Sequence, residues 1–330
     1  MPSLGSLRWL LVLGGLAGCG AWGAGTPPVP APPPTGPPPL FGFWGLNGKI
    51  DPEGLQDVKR RLGAEVFHTA SRSPGYVLNG LLPLVRAADM KVSLRLTGGH
   101  PHHTGPGGDF DVAAWMAELQ RWAPHAEALA PYIADGTLVT HMLLDDIHNY
   151  PGRSPTAAEL DAMAAASKAL LPGLATFVRE RATEMPVYPD GRPYQHVDAI
   201  VHQYRVRFGE VQAWSDAQSA LAAQLGLRVI CGLNIANGGD GSSGQPGWRE
   251  GRHAMSADEV RRYGSVLADD PRCSMFLAWE YDAEERWSDG SIGAAFFDRP
   301  ENAAALRELG ERVKQRPGAP LTREGRPARR

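Results

Sequence analysis

The stretch His141-Met142-Leu143-Leu144-Asp145-Asp146-Ile147-His148 joins an apolar run to two adjacent carboxylates. The apolar part suits a strand buried on both faces, and the acids end it abruptly. A desolvated carboxylate without a partner is costly, so a strand ending this way is expected to open into a polar cavity. A plainer alternative has one acid capping the next helix and the other in solvent. Other segments that look like strands end in residues of similar kinds: Trp44, Arg95 with Thr97, Arg179 with Glu180, His202-Gln203-Tyr204, Asn234, and Trp279-Glu280-Tyr281-Asp282. Carboxylates can act as acid, base or nucleophile, amides and arginines can hold hydroxyls, and aromatic faces can stack on pyranose rings. Together they make the inventory of a sugar site.

The elements that must position these residues alternate. Strands are predicted at 41–46, 65–70, 91–96, 138–144, 174–178, 197–203, 227–233 and 274–279, each separated from the next by a helix or crossover. Helices are signalled by Asp51-Pro52 with a stop at Gly63, by 81–88, by 112–129, by the capping boxes at Thr156/Glu159 and Ser256/Glu259, by 211–225 and by 302–314. The segment after the fifth strand is weak and irregular. Eight strands in about 275 residues fit a closed parallel (β/α)8 TIM barrel. The rival, an open doubly wound sheet, lacks a Gly-x-Gly-x-x-Gly turn after its first strand and a phosphate-cradling loop. Helix-to-strand turns are terse, whereas the strand-to-helix loops 97–110, 235–255 and 281–300 are long. Long loops on one rim build a barrel's site.

The chain has 330 residues, 43% of them hydrophobic, and a formal charge of -3, with a pI near 6.4. It can bury a full core, and it carries no basic stripe apart from 323–330, so nucleic acid is not an expected partner. Residues 1–19 place Arg8 before an apolar run and Leu16-Ala17-Gly18-Cys19. This segment resembles a bacterial lipoprotein signal, which implies cleavage before Cys19, lipidation of its thiol and a membrane anchor. An ordinary secretory signal is the alternative. Gly20 after the cysteine implies the outer membrane where the cell has one. Residues 20–40 are proline-rich and read as a stiff spacer. The barrel domain is expected over 41–315 and a disordered tail over 316–330. Cys231 and Cys273 read as buried free thiols, with a disulfide possible if their strands match in height.

Asp135-Gly136-Thr137, Met142-Leu143-Leu144-Asp145-Asp146-Ile147-His148, Leu171-Pro172-Gly173-Leu174 and Gly232-Leu233-Asn234 resemble a group of bacterial barrel proteins similar to glycoside hydrolases. The resemblance covers most of 41–314 through short motifs. It implies a glycan substrate or ligand, without a cofactor. Where that pattern ends its fourth strand in Asp-Glu-Pro-His, this chain has Asp146 and Ile147 in place of Glu-Pro. The barrel glycosidases carry a Glu at the ends of strands four and seven, and here those places hold Asp146 and Asn234. The candidate catalytic acids are therefore Asp146, Asp145 and Glu280. Strands four and eight lie across the barrel, a spacing that would favour inversion. Candidate sugar contacts are Trp44, Arg95, His148, Arg179, Gln203, Tyr204, Asn234, Trp279 and Tyr281. In the competing account Asp145 pairs with Arg95 or Arg179, Glu280 holds a loop, and the barrel binds or scaffolds without catalysis. His100, His102 and His103, with Asp109 and Asp111, read as a surface loop rather than a metal site. Trp115 and Trp122, seven apart, read as packing.

Overall fold

The computed structural model describes residues 36–46, 48–281, 297 and 299–322. The signal segment with Cys19, most of the spacer, Asp282 and 323–330 lie outside the described residues. Eight parallel strands close in chain order, each paired with the next and the last with the first. They are β1 (Leu40–Trp44), β2 (Val66–Ala70), β3 (Lys91–Arg95), β4 (Leu138–Asp145), β5 (Ala175–Arg179), β6 (Ala199–Tyr204), β7 (Arg228–Leu233) and β8 (Cys273–Trp279). The expected strands agree with these to within two residues at each end.

Among the described residues the helices are α1 (Pro52–Leu62), α2 (Pro74–Tyr76), α3 (Leu82–Ala87), α4 (Val112–Gln120), α5 (Ala126–Ala134), α6 (Ala157–Leu170), α7 (Val211–Gln224), α8 (Ala257–Asp269) and α9 (Pro300–Lys314). Local signals explain their starts. Asp51 accepts from the Gly54 N–H at 2.7 Å, and both capping boxes form, at Thr156/Glu159 and Ser256/Glu259. The single helix expected over 112–129 is instead two, with a short 3-10 turn at Ala123–His125 containing Pro124, which supplies no N–H to continue α4. The β5–β6 crossover has no α-helix, only a 3-10 turn at Ala182–Glu184.

Strand alternation sorts the core into two layers. Val66, Met142, Phe177, Ala199, Val201, Ile230, Met275 and Leu277 fill the barrel, while a larger apolar layer lies between strands and helices. The interior is crowded at Gly42, where a Cβ would sit 1.5 Å from the Val66 carbonyl oxygen, so a larger residue would force two strands apart. Trp115 and Trp122 are buried in the outer layer. Their Nε1 groups donate to the Leu143 and Leu96 carbonyls at 3.0 and 2.9 Å, fixing α4 and the turn after it against the rim ends of β3 and β4.

Two expectations about the chain need correction. Cys231 and Cys273 are disulfide-bonded, their Cα atoms 5.5 Å apart on adjacent strands and both fully buried. Residues 316–322, expected in a disordered tail, are docked. Arg316 donates to the Ala268 and Cys273 carbonyls at 2.5 and 2.7 Å, Gly318 pairs with Gly36, and Leu321 packs on the barrel-filling cluster. Buried carbonyls that need donors, and an apolar barrel end that needs covering, account for this order.

Candidate functional site

The site begins with how β4 ends. Consecutive strand residues normally face opposite ways, which would leave only one of Asp145 and Asp146 inside. Two irregularities change that. The register against β5 shifts between Met142 and Leu144, with Leu143 and Leu144 both in the outer layer, and Asp145 is then opposite Arg179. Asp146 adopts a left-handed backbone with φ 45° and ψ 66°, a conformation that aspartate tolerates better than most residues. Both carboxylates therefore reach one guanidinium. Arg179 Nε donates to Asp145 Oδ1, and Arg179 Nη2 lies 2.6 Å from Asp146 Oδ2. Arg95 Nη1 approaches Asp145 from the other side at 3.6 Å.

This Arg95–Asp145–Arg179–Asp146 chain is the pairing account of Asp145. Burial works against the charge on Arg179, but Asp145 and Asp146 outweigh it and hold its pKa above the ordinary arginine value. Burial, the largest influence, lowers the pKa of Arg95, with Asp145 acting against it.

Two cavities flank the chain. One of about 300 Å3 is lined by Trp44, His68, Arg95 and Glu280. The other, of about 200 Å3, is lined by Asp146, His148, Arg179, Gln203 and Arg205 among others. Glu280 and Asp146, the expected catalytic pair, thus line different cavities. The Glu280 carboxylate lies over Gly45, where a Cβ would sit 3.1 Å from its Oε1. In the first cavity Trp44 is almost fully buried, its ring centroid 4.2 Å from that of His68 and 5.3 Å from the Arg179 guanidinium carbon. Burial, followed by Arg95 and Arg179, keeps the His68 pKa well below 6.5, so it sits there neutral with Nδ1 2.9 Å from Ser93 Oγ.

The other expected sugar contacts divide. Gln203 faces the second cavity, and neither its Oε1 nor its Nε2 has a hydrogen-bond partner among the described residues. A buried amide with both ends open is suited to a ligand's hydroxyls. Trp279 is partly exposed and meets Trp248 edge-on at 5.6 Å. Half-exposed His148 places Nδ1 2.5 Å from Glu180 Oε2. Asn234 is structural on one side: its Oδ1 accepts from the Asn237 N–H at 2.9 Å, and Asn237 Oδ1 accepts from the Arg249 N–H at 2.9 Å, which ties down the loop after β7. Its Nδ2 has no partner among the described residues.

Tyr204 and Tyr281 do not belong to the mouth. Tyr204 packs against Trp214 and Tyr263 and donates its hydroxyl to the Gly209 carbonyl at 2.5 Å. Tyr281 is fully buried between Phe43 and Phe297. Tyr204 is on the outward side of β6, beside inward Gln203, and Tyr281 lies beyond the end of β8, packed among outer-layer aromatics.

His100, His102 and His103 make separate contacts. His100 Nε2 lies 2.5 Å from the Asp145 carbonyl oxygen, His102 meets Arg72 at 3.3 Å, and His103 sits between the Tyr150 hydroxyl and the Gly98 carbonyl. The loop is a cover tied to β4. A second set, His148, Glu180 and Glu184, has ligand atoms within 4.8 Å of one another. Its donors would suit zinc, but Arg181 is already bonded to Glu184 and four more arginines line the same cavity, a field unfavourable to a cation. Trp248, His68, Arg205, Arg207 and Arg249 also stand at the site and are not among the expected contacts. The last three had a visible signal: they are arginines just after the sixth strand and in the long loop after the seventh.

Eight parallel strands and the helices outside them define a (β/α)8 barrel. No protein-family model and no curated protein sequence matches the chain. Among solved structures it is similar to the beta-D-glucuronidase of Dictyoglomus thermophilum, with 14% identity over 84% of this chain and 51% of that one and a TM-score of 0.51. This chain thus spans about half the length of that enzyme. It is also similar to the catalytic domain of the major endoglucanase of Xanthomonas campestris pv. campestris, with 11% identity over 83% of this chain and 95% of that one and a TM-score of 0.48. At such identities the likeness speaks for the fold alone.

Proposed function

We propose that the protein is an exported barrel of glycoside hydrolase type whose rim recognises a glycan outside the cytoplasm. The observation that carries this reading is the cavity at the C-terminal ends of β4, β5 and β6, where the unpaired amide of Gln203 sits beside charged donors and acceptors. The partly exposed Trp248 and Trp279 pair supplies an aromatic edge on the same rim. Recognition is favoured over cleavage because Asp146 is bound to Arg179 and lines a different cavity from Glu280. Export accords with the signal-like residues 1–19 and with a disulfide, which persists in oxidising compartments. Lipidation at Cys19 and the proline-rich spacer would hold the barrel off a membrane, the outer one where present.

A second reading, hydrolysis, has one observation in its favour: Glu280 opens onto a cavity with Trp44 and Arg95. In that case Glu280 would be the acid and Asp146 the base, with inversion of the anomeric centre. Calorimetry with a panel of oligosaccharides, together with turnover assays on the same panel, separates the readings. Binding without turnover is the expected result. Turnover abolished by Glu280→Gln and by Asp146→Asn would replace recognition with hydrolysis, and an absence of any binding would remove both.

A further inference from the structure

The Asp146 cavity holds more positive charge than its own acids neutralise. Five arginines line it: Arg179, Arg181, Arg205, Arg207 and Arg249. Arg179 is occupied by Asp145 and Asp146, and Arg181 by Glu184. Glu180, the remaining acid, accepts from His148 and from the Arg181 N–H. Among the described residues Arg205, Arg207 and Arg249 have no carboxylate partner.

These three come from two loops fastened together. The Val206 N–H donates to the Gly238 carbonyl at 2.9 Å, joining the turn after β6 to the loop after β7 that carries Arg249. Arg207 and Arg249 are exposed and Arg205 is half-buried. Burial, then Arg207 and Arg179, push the Arg205 pKa down to about 10, with Asp146 acting the other way. A half-buried guanidinium among like charges is a liability to the free protein. It becomes an asset when an anion arrives, because a guanidinium fork matches a carboxylate or sulfate with two parallel hydrogen bonds.

We propose that this cavity takes the oxyanion of a negatively charged sugar, a uronic acid carboxylate or a sulfate ester. Arg205 is its inner contact, and Arg207 and Arg249 hold it from the two loops. Gln203 beside them reads the ring hydroxyls. The sugar part of this inference rests on the glycan reading above, and the anion part does not.

The test measures binding of D-glucuronate, glucose 6-sulfate, D-glucose and inorganic sulfate to the full chain at fixed ionic strength. At least one anionic sugar is expected to bind tenfold or more tightly than glucose, and Arg205→Met to reduce that preference to parity. The paired variant Arg207→Ser with Arg249→Ser alters exposed side chains only, so it keeps the fold while lowering anion affinity. Equal binding of anionic and neutral sugars overturns the inference, as does a preference that survives both variants. Neutral sugars binding while sulfate does not leaves the glycan reading and removes the anion site. Sulfate binding that depends on Arg205, with no sugar bound, leaves the anion site and removes the glycan reading.

Discussion

Replacing Arg179 with Met tests the ion-pair chain on which the account of Asp145 and Asp146 depends. The Arg179 side chain is 13% exposed, and those of Asp145 and Asp146 are 22% and 30% exposed. At an effective dielectric constant near 20, each pair in contact is worth about 4 kcal/mol of attraction. Desolvation of three charged groups offsets most of the total, so the intact cluster contributes little net stability. Removing Arg179 alone is different, because it leaves two neighbouring carboxylates without their contact cation, with Arg95 3.6 Å from Asp145 and Arg205 acting on Asp146 from farther off. Breaking a buried pair costs about 3–5 kcal/mol, and water reaching the partly exposed acids points to the lower end, about 3 kcal/mol.

For a domain of this size such a loss lowers the melting temperature by about 6–12 °C. Urea unfolding should show it as a lower midpoint with an unchanged slope. Adding Asp145→Asn and Asp146→Asn to Arg179→Met should recover more than half of the loss, since no charge is then left unanswered. A deficit below about 1 kcal/mol for Arg179→Met, or a triple variant less stable than the single one, would refute the reasoning.

Three further outcomes are expected. His202 is buried against Trp214, and burial, with Arg272 adding and Asp270 opposing, lowers its pKa to about 4. The unfolded chain therefore binds more protons than the native one between about pH 6.5 and 4, so stability falls on acidification across that window, by at most about 3 kcal/mol for this group. His202→Phe should flatten the profile of stability against pH, and an unchanged slope would count against the assignment. The Cys231–Cys273 bond closes a separation of 42 residues, for which chain entropy gives about 4 kcal/mol. Thiol labelling of denatured, unreduced protein should leave this pair unmodified, and the double Cys→Ala variant should unfold at correspondingly lower urea. Trp248→Ala and Trp279→Ala should each weaken binding of neutral oligosaccharides by about tenfold at temperatures where the variants are folded, and unchanged affinity would place the sugar elsewhere.

The barrel was legible because strands buried on both faces leave a plain trace, apolar runs punctuated by glycine turns and helix caps. The site was legible only at the level of which strand ends are polar. Alternation sends Gln203 inward and Tyr204 outward, so reading whole strand ends as one set enlisted residues that pack against helices instead. The register shift in β4 and the left-handed turn at Asp146 depend on how β5 is placed, and no residue pattern in 141–148 announces them. The disulfide likewise needed the relative height of β7 and β8, a property of the closed barrel.

The charge balance of the Asp146 cavity bears directly on whether bonds break there. Glycosidic cleavage passes through an oxocarbenium-like state that carries positive charge on the sugar ring. Carboxylates close to that ring lower the barrier, and guanidiniums raise it. Asp146 and Glu184 are already shared with arginines, and Arg205, Arg207 and Arg249 add three positive charges that have no carboxylate partner among the described residues. The same field that opposes a cationic transition state favours an anionic ligand. The proposed recognition of a charged sugar, and its preference over cleavage, rest on one arrangement of side chains, and they stand or fall with the three arginines that have no carboxylate partner among the described residues.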